Sequence, residues 1–511
     1  MGQFTGAATA SSPPLCEGRP AHVVLLASPG AGHLIPLAEL ARRLVEHHGF
    51  EATLVTFADL AAPDAHSAVV SSLPASVATA TLPAVSLDDL PADTAVETVL
   101  FELIRRSLPS LAALLRSIGS TAPLAALVPD FFCSSALAVA AEVGVRGYLF
   151  CPSNLSALYI MRRAVELHDD AATGEYHDLP DTVELPGGVS LRHADLPDAF
   201  KDSTKPVYSH LIDVGRKYRS ADGFLMNTFY EMDPAAVEDS KKAAEKGAFP
   251  PAYTVGPFVR SSSNEASASA CFEWLDLQPT GSVVYVSFGS AGLLSAEQTY
   301  ELAAGLEMSG HRFLWAVRMP SLDGVPFSFG NGHRNGEDHD GRDDPHARYF
   351  PEGFLERTSG RGLAVAAWMP QVRVLSHPAT AAFVSHCGWN STLESVASGV
   401  PMIAWPLHAE QRMNAVILAD AAGVALRLRA LEDVGDGGSV VVRREEVAAA
   451  VKEVMEGEKG RAVRRQAGYL QQAASRAWSP EGSSRRALDE VAVNLKAAAW
   501  HGKQPMPSND E

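Results

Sequence analysis

Residues 380–401 read TAAFVSHCGWNSTLESVASGVP, and the order of residue types in this stretch decides the fold. The first six residues are short and apolar enough for a buried strand, and Gly388 ends that strand. Ser391 and Glu394 have the S-x-x-E spacing of a capping box at a helix N-terminus, and Gly399 is a good C-terminal stop. A strand, a tight turn and a helix start predict an anion site, because free N–H groups of the helix point into the crevice.

The alternation of strands and helices continues outward through both halves of the chain. It predicts two doubly wound α/β domains with a ligand cleft between them. A serine-rich, non-periodic stretch after Val259 is the best linker in the sequence. We predict a disordered N-terminus (1–20), a first domain (21–258), a linker (259–270), a second domain (271–478) with a mobile loop (319–349), a final helix (479–500) and a tail (501–511).

Composition excludes several classes of function. The 511 residues are too many for one core, and the net charge of −18 argues against nucleic-acid and anionic-membrane partners. Five cysteines without a C-x-x-C pair favour a reducing compartment and no zinc site. The sequence shows neither a signal peptide nor a run of about 20 apolar residues, so we expect a soluble, cytoplasmic protein.

A second glycine-rich turn follows the apolar stretch 22–28 and reads Pro-Gly-Ala-Gly-His, ending at His33. A dinucleotide fingerprint would need glycine at position 35, where Ile35 stands, so the signal for NAD is weak. Asp130 follows another apolar stretch, and open α/β sheets place their sites at the carboxyl ends of strands.

The longer stretch from Trp368 to Gln411 resembles the signature box of the plant small-molecule UDP-glycosyltransferases, aligning over 44 positions without a gap. The resemblance extends from about residue 20 to about residue 500, and the subgroup it points to is the hydroquinone (arbutin-forming) and monolignol glucosyltransferases. It implies a GT-B fold, in which two Rossmann-like domains face each other across a cleft. It also implies that the final helix crosses back to pack on the first domain.

The resemblance implies roles for individual residues. The UDP contacts are Ser290, Trp368, Met369, Gln371, His386, Asn390, Ser391 and Glu394, and the sugar contacts are Trp389, Glu410 and Gln411. Trp368 would stack on uracil, His386 would bind the diphosphate and Glu394 would hold the ribose hydroxyls. Glu410 stands where the family more often has Asp, which keeps the charge and lengthens the arm. His33 would be the catalytic base, and Asp130 would fix its tautomer.

The resulting prediction is an inverting enzyme that moves glucose from UDP-glucose to a hydroxyl of a small, phenolic acceptor, giving a β-glucoside. We expect a monomer without a cofactor, and no metal, because no Asp-x-Asp motif lies in the expected donor site. The histidines and aspartates of 319–349 lack a ligand spacing. The acceptor is not identified by the sequence, since an irregular segment (154–215) would line its pocket, and Phe131, Phe132 and Phe150 could be pocket walls or core.

Two other functions fit part of the pattern. A sugar-nucleotide epimerase of similar architecture would need no acceptor and would lack the cradle formed by Trp389, Glu410 and Gln411. An inactive UDP-sugar-binding protein would have no need of both His33 and Asp130.

Overall fold

The computed structural model describes residues 19–58, 69–171, 182–259, 269–290, 292–318, 349–366, 369–432 and 440–501. The strands are β1 (His22–Leu26), β2 (Glu51–Phe57), β3 (Val77–Leu82), β4 (Leu124–Pro129), β5 (Arg146–Cys151), β6 (Thr182–Leu185), β7 (Val189–Arg192), β8 (Gly223–Met226), β9 (Ala252–Thr254), β10 (Val283–Ser287), β11 (Arg312–Ala316), β12 (Gly362–Val365), β13 (Thr380–Ser385), β14 (Met402–Ala404) and β15 (Ala425–Arg427).

The helices cover the faces of the sheets formed by these strands. They are α1 (Ala31–His48), α2 (Val96–Gly119), α3 (Ala136–Val143), α4 (Leu155–Ala171), α5 (Pro206–Tyr218), α6 (Pro234–Glu245), α7 (Ser269–Asp276), α8 (Ala296–Ser309), α9 (Phe354–Arg357), α10 (Gln371–Leu375), α11 (Trp389–Ser398), α12 (Gln411–Val416), α13 (Arg429–Glu432), α14 (Arg444–Glu456), α15 (Glu458–Ala477) and α16 (Ser483–His501).

Two parallel sheets organise the molecule as two Rossmann-like domains. The first domain is built on seven strands in the order β3-β2-β1-β4-β5-β8-β9, and the second on six in the order β12-β11-β10-β13-β14-β15. Every residue of β1 and of β10 is buried, as expected for strands covered by helices on both faces. The strand order reverses between β1 and β4 and again between β10 and β13. These are the two switch points at which open α/β sheets form their ligand crevices.

The last helix, α16, packs on the first domain although the rest of its half of the chain belongs to the second. Its residues Leu488, Val491 and Leu495 lie in one core cluster with Val23 and Leu25 of β1. Spacings of three and four residues place these side chains on one face of the helix. The chain therefore passes from the second domain back to the first at its end.

Two segments predicted to be irregular contain regular structure, so those predictions were wrong. The segment 71–95, whose prolines predict a long irregular loop, contains β3, which pairs in parallel with β2 from Val77 to Leu82. The strand reads VATATL, and its small, half-exposed residues carry no apolar periodicity. The segment 154–215 holds α4, α5 and the antiparallel hairpin of β6 and β7. Both helices pack into one large core cluster.

Some sequence predictions concern residues outside the described ranges. They include most of the N-terminus (1–20), linker (259–270), internal loop (319–349) and tail (501–511), and also Trp368. Across the residues that the structure does describe, no helix has both the length and the apolar character needed to cross a membrane.

Candidate active site

A histidine and a carboxylate meet at the switch point of the first sheet. Nδ1 of His33, at the start of α1, lies 2.9 Å from Oδ2 of Asp130, just past β4. The Ser28 hydroxyl donates to the other carboxylate oxygen at 2.7 Å, and the Phe132 amide donates to it at 3.2 Å. Asp130 is fully buried, and its own amide donates to the Leu26 carbonyl. The carboxylate is therefore fixed in place before any ligand binds.

This contact sets the tautomer of His33. A carboxylate only accepts hydrogen bonds, so Nδ1 carries the proton and Nε2 keeps a lone pair when the ring is neutral. Burial by itself would lower the pKa of His33, but the charge and hydrogen bond of Asp130, together with the charge of Glu410, raise the pKa above its ordinary value. The dyad can thus take up a proton at Nε2 and stabilise the imidazolium that results.

Aromatic rings stand beside the imidazole. The ring centres of Phe131 and Phe132 lie 5.7 and 5.2 Å from that of His33 and 4.0 Å from each other. The ring centre of Phe101, in α2, lies 5.9 Å from that of Phe132. The sequence did not predict Phe101 here, because the apolar periodicity of a helix does not distinguish a residue that lines a pocket from one that packs in the core. Phe150 is fully buried in the core of the first sheet, so it is a core residue and not a pocket wall.

His386 lies in the turn after β13, and its ring packs closely against two glycines, Gly289 and Gly388. A Cβ added at Gly289 would lie 2.6 Å from the His386 ring, and one added at Gly388 would lie 2.4 Å from it. Gly289 follows β10 and Gly388 follows β13, so the two glycines come from the two strands that form the switch point of the second sheet. Cys387, next to the histidine, has a φ of 64°, a strained value for a residue with a side chain. Exposed Ser290 follows Gly289 at the same edge of the sheet.

His386 is neutral under ordinary conditions and available for an anion. Burial, and to a lesser extent the charge of His408, lower the pKa of His386 to about 4. Its buried Nδ1 has no hydrogen-bond partner among the described residues, and the same holds for Oδ1 of Asn390. A buried polar atom without a partner is costly unless a ligand or a water satisfies it.

The helix that follows this turn begins three residues earlier than its sequence predicts, because its N-cap is Gly388 and not Ser391. Gly388 is the N-cap of α11 and no side chain caps the helix, so the prediction of a capping box at Ser391 and Glu394 was wrong. Both residues lie inside the helix, where Nε2 of Gln371 donates to the Ser391 hydroxyl at 2.8 Å and to a Glu394 carboxylate oxygen at 2.6 Å. Three of the residues expected at UDP are thereby brought together, whereas the Met369 side chain lies in the core.

Two of the three residues expected at the sugar, Glu410 and Gln411, lie at the end of the loop before α12 and at the first position of that helix. Oε1 of Gln411 accepts from the amides of Leu407 and His408, which closes the loop on itself. Ala409 has a φ of 58°, and its amide donates to a carboxylate oxygen of Asp198 in the first domain at 2.7 Å. Glu410 follows, close enough to His33 for its charge to raise the pKa of the imidazole. Asp198 has no sequence signal that links it to this loop.

Trp389 lies elsewhere. Its side chain is 4 % exposed, packs in the core of the second domain, and donates from Nε1 to the carbonyl oxygen of Asn227 at 2.7 Å. The predicted contact of this side chain with the sugar is therefore not supported, because the indole and its N–H group are used at the domain interface.

Nowhere among the described residues do three or more His, Cys, Asp or Glu side chains form a group that could hold a metal ion. The histidines and aspartates of 319–348 lie outside those residues.

Similarity to known proteins shows the family of this chain. The family described as "UDP-glucoronosyl and UDP-glucosyl transferase" matches residues 262–463. Hydroquinone glucosyltransferase of Rauvolfia serpentina is 43% identical over 94% of this chain and 98% of its own length. The chain belongs to the UDP-glycosyltransferase family. UDP-glycosyltransferase 72B1 of Arabidopsis thaliana is also 43% identical, over 94% of this chain and 97% of its own.

Solved UDP-glycosyltransferases have the same architecture. UGT2 of Phytolacca americana, complexed with UDP-2fluoro-glucose and pterostilbene, has a TM-score of 0.79 at 39% identity over 94% of this chain and all of its own. A UDP-glucosyltransferase of Polygonum tinctorium, complexed with 3,4-dichloroaniline, has a TM-score of 0.81 at 40% identity over 93% of this chain and 99% of its own. The predicted GT-B fold and UDP-sugar-dependent glycosyltransferase activity are confirmed, and nothing supports the epimerase alternative.

Proposed function

We propose that this UDP-glycosyltransferase moves glucose from UDP-glucose to a hydroxyl of a small phenol, with inversion at the anomeric carbon. The observation that carries the proposal is the position of the His33–Asp130 pair at one switch point, across the cleft from the His386 turn at the other. One turn offers a proton acceptor and the other an anion site, which are the two functions that this transfer needs.

The step balances as a single displacement. The acceptor oxygen forms a bond to the anomeric carbon as the bond from that carbon to the diphosphate oxygen breaks. The acceptor proton goes to Nε2 of His33, and Asp130 stabilises the charge on the ring. The electron pair leaves with UDP, whose new charge is met by His386, Asn390 and the N-terminus of α11. Glu410 and Gln411 would hold the sugar in line for the attack.

The phenolic acceptor is supported by the ring pair at the dyad. Phe131 and Phe132 stand within 6 Å of the imidazole, where a flat aromatic acceptor can pack with its hydroxyl at Nε2. One relative named for hydroquinone and the neighbour bound to pterostilbene support the same class of acceptor.

We propose a reducing compartment such as the cytoplasm. The four described cysteines, Cys133, Cys151, Cys271 and Cys387, are buried free thiols. No metal is proposed in the reaction, since neutral donors occupy the expected diphosphate site.

The test is incubation of the protein with UDP-glucose or UDP-galactose and a panel of phenols and matched aliphatic alcohols, read by mass spectrometry and by NMR of the anomeric proton. We expect β-glucosides of phenols, with UDP-glucose preferred in kcat/KM. A sugar hydroxyl that loses its buried partner should cost about 1–3 kcal/mol. Conversion of the donor without an acceptor, or binding without any product, would refute the proposal.

A further inference from the structure

A pair of asparagine side chains joins the two domains behind the loop between β14 and α12 (residues 405–410), here called the sugar loop. Nδ2 of Asn154, just past β5 of the first domain, donates to Oδ1 of Asn414, in α12 of the second, at 2.8 Å. The two residues are 260 positions apart, and they are 1 % and 0 % exposed. A hydrogen bond so deeply buried between domains is expensive to leave unpaired.

Backbone groups fix the orientation of both side-chain amides, so which one donates and which one accepts is determined. Oδ1 of Asn154 accepts from the amide of Ala157 at 2.8 Å, in the first turn of α4. Nδ2 of Asn414 donates to the carbonyl oxygen of Cys387 at 2.9 Å. An amide N–H cannot accept and a carbonyl cannot donate, so neither asparagine can turn its side chain over without losing a bond.

The same Asn414 nitrogen faces the residue expected at the sugar. It lies 3.4 Å from Oε1 of Glu410, one helical turn earlier. Cys387, its other partner, lies between His386 and Gly388 in the turn after β13, here called the diphosphate turn. One side-chain amide thus touches the carboxylate of the sugar loop and the backbone of the diphosphate turn, and its orientation is set from the other domain.

The sugar loop is held by the first domain at a second point. Asp198 accepts from the Ala409 amide at 2.7 Å and donates its own amide to the Ala409 carbonyl at 3.2 Å. Both bonds of this pair cross the cleft, one residue before Glu410. The position of Glu410 is therefore determined from the first domain on both sides, through Ala409 and through Asn414.

We propose that Asn414 is a positioning residue for the transfer. Held by Asn154 and by Cys387, it fixes the carboxylate of Glu410, so the sugar is aligned only when the two domains have the relative position that joins Asn154 to Asn414. This inference rests on the proposed function. It makes the interface between the domains part of the recognition of the donor sugar, although Asn154 belongs to the acceptor side of the molecule.

The test compares amide-to-acid variants of nearly equal shape. Asn414→Asp keeps an acceptor for Asn154, loses the donor to Cys387 and sets a carboxylate beside Glu410. Asn154→Asp keeps the acceptor for the Ala157 amide and loses only the donor to Asn414. Gln298→Glu is the matched control, because Gln298 is a buried amide whose two hydrogen bonds go to the backbone of Val442 inside the second domain.

We would measure kcat and KM for UDP-glucose, binding of UDP and of UDP-glucose by calorimetry, and the thermal midpoint. All three variants should unfold at lower temperature. Only Asn414→Asp and Asn154→Asp should lower kcat, by about 10- to 100-fold, as misalignment of a reacting group does. UDP, which lacks the transferred glucose, should bind each of them within about threefold of the wild type, whereas the affinity for UDP-glucose should fall further than that for UDP.

Three outcomes would overturn the inference. They are wild-type kcat in Asn414→Asp, an equal loss of kcat in Gln298→Glu, and parallel losses of UDP and UDP-glucose affinity in both asparagine variants. Should Asn414→Asp fail to fold, Asn154→Asp decides alone. A wild-type protein that forms no glucoside would refute the proposed function instead, and the difference between UDP-glucose and UDP binding would still report on Asn414.

Discussion

Nδ2 of Asn390 donates a hydrogen bond of 2.8 Å to the carbonyl oxygen of Gly32, the residue before His33. Asn390 lies in the first turn of α11 and Gly32 in the first turn of α1, so the N-termini of two helices from different domains meet in the cleft. The turn that carries the proposed base is thereby joined directly to the helix proposed to face the leaving group. In the proposed function, this bond helps to set the distance between the base and the diphosphate.

Removal of the imidazole should abolish transfer without loss of UDP binding. In His33→Ala no group remains to accept the acceptor proton, and a general base is worth about 10²–10⁴-fold in rate. The proposed UDP contacts lie in the other domain, so UDP affinity should stay near wild type. Rates with a chlorinated phenol and with a simple alcohol, measured beside UDP binding, check this. The phenol is partly ionised already and should lose less. Near wild-type turnover of the alcohol would remove His33 from the mechanism.

The pH profile should report the raised pKa of His33. The proposed base must be neutral to work, so kcat/KM falls as the pH drops through this pKa, which lies above the ordinary value for histidine. Asp130→Asn removes the charge that raises the pKa and leaves the burial that lowers it, so the acid limb should move to lower pH. The rate on the plateau should also fall, because the tautomer is no longer fixed. An acid limb at the same pH in both proteins would contradict this reading of the dyad.

Gly289→Ala should weaken donor binding more than its backbone strain explains. Its Cβ would meet the His386 ring at 2.6 Å, and the φ of 73° already disfavours a side chain. Displacement of His386 removes one hydrogen bond to a charged group, about 1.5 kcal/mol or roughly tenfold in affinity for UDP. Gly310→Ala is the control, since Gly310 has a φ of 76° and open space around its Cβ. Equal UDP affinities in the two variants would show that His386 does not bind the diphosphate.

Activity should survive an excess of EDTA. The neutral His386 ring, the Asn390 amide and the N-terminus of α11 offer the diphosphate hydrogen-bond donors, so a cation is not required. Transfer rates before and after chelation, with added Mg²⁺ as the comparison, test this directly. A loss that Mg²⁺ restores would mean that the diphosphate charge is neutralised by a metal.

The alternation of apolar strands and helices was enough to predict the fold class and to place polar residues at the ends of strands. His33 and Asp130 each follow an apolar strand, and parallel strands that neighbour each other bring such residues to one edge. Long-range partners were not predictable in this way. Asn154 and Asn414 are polar residues with no periodicity between them, and Asp198 lies in a segment read as irregular. Trp389 belongs to a recognisable motif, but the motif does not predict that its indole N–H donates to Asn227 of the other domain.

The packing of α16 on β1 has a consequence for the synthesis of the chain. Strand β1 stays without part of its apolar cover until residues 488–499, far along the chain from it, have emerged from the ribosome. We expect the first domain to remain incomplete until then, with its sheet open to chaperones that bind exposed apolar strands. The second domain, enclosed between the two parts of the first in the sequence, is free to fold while the first one waits.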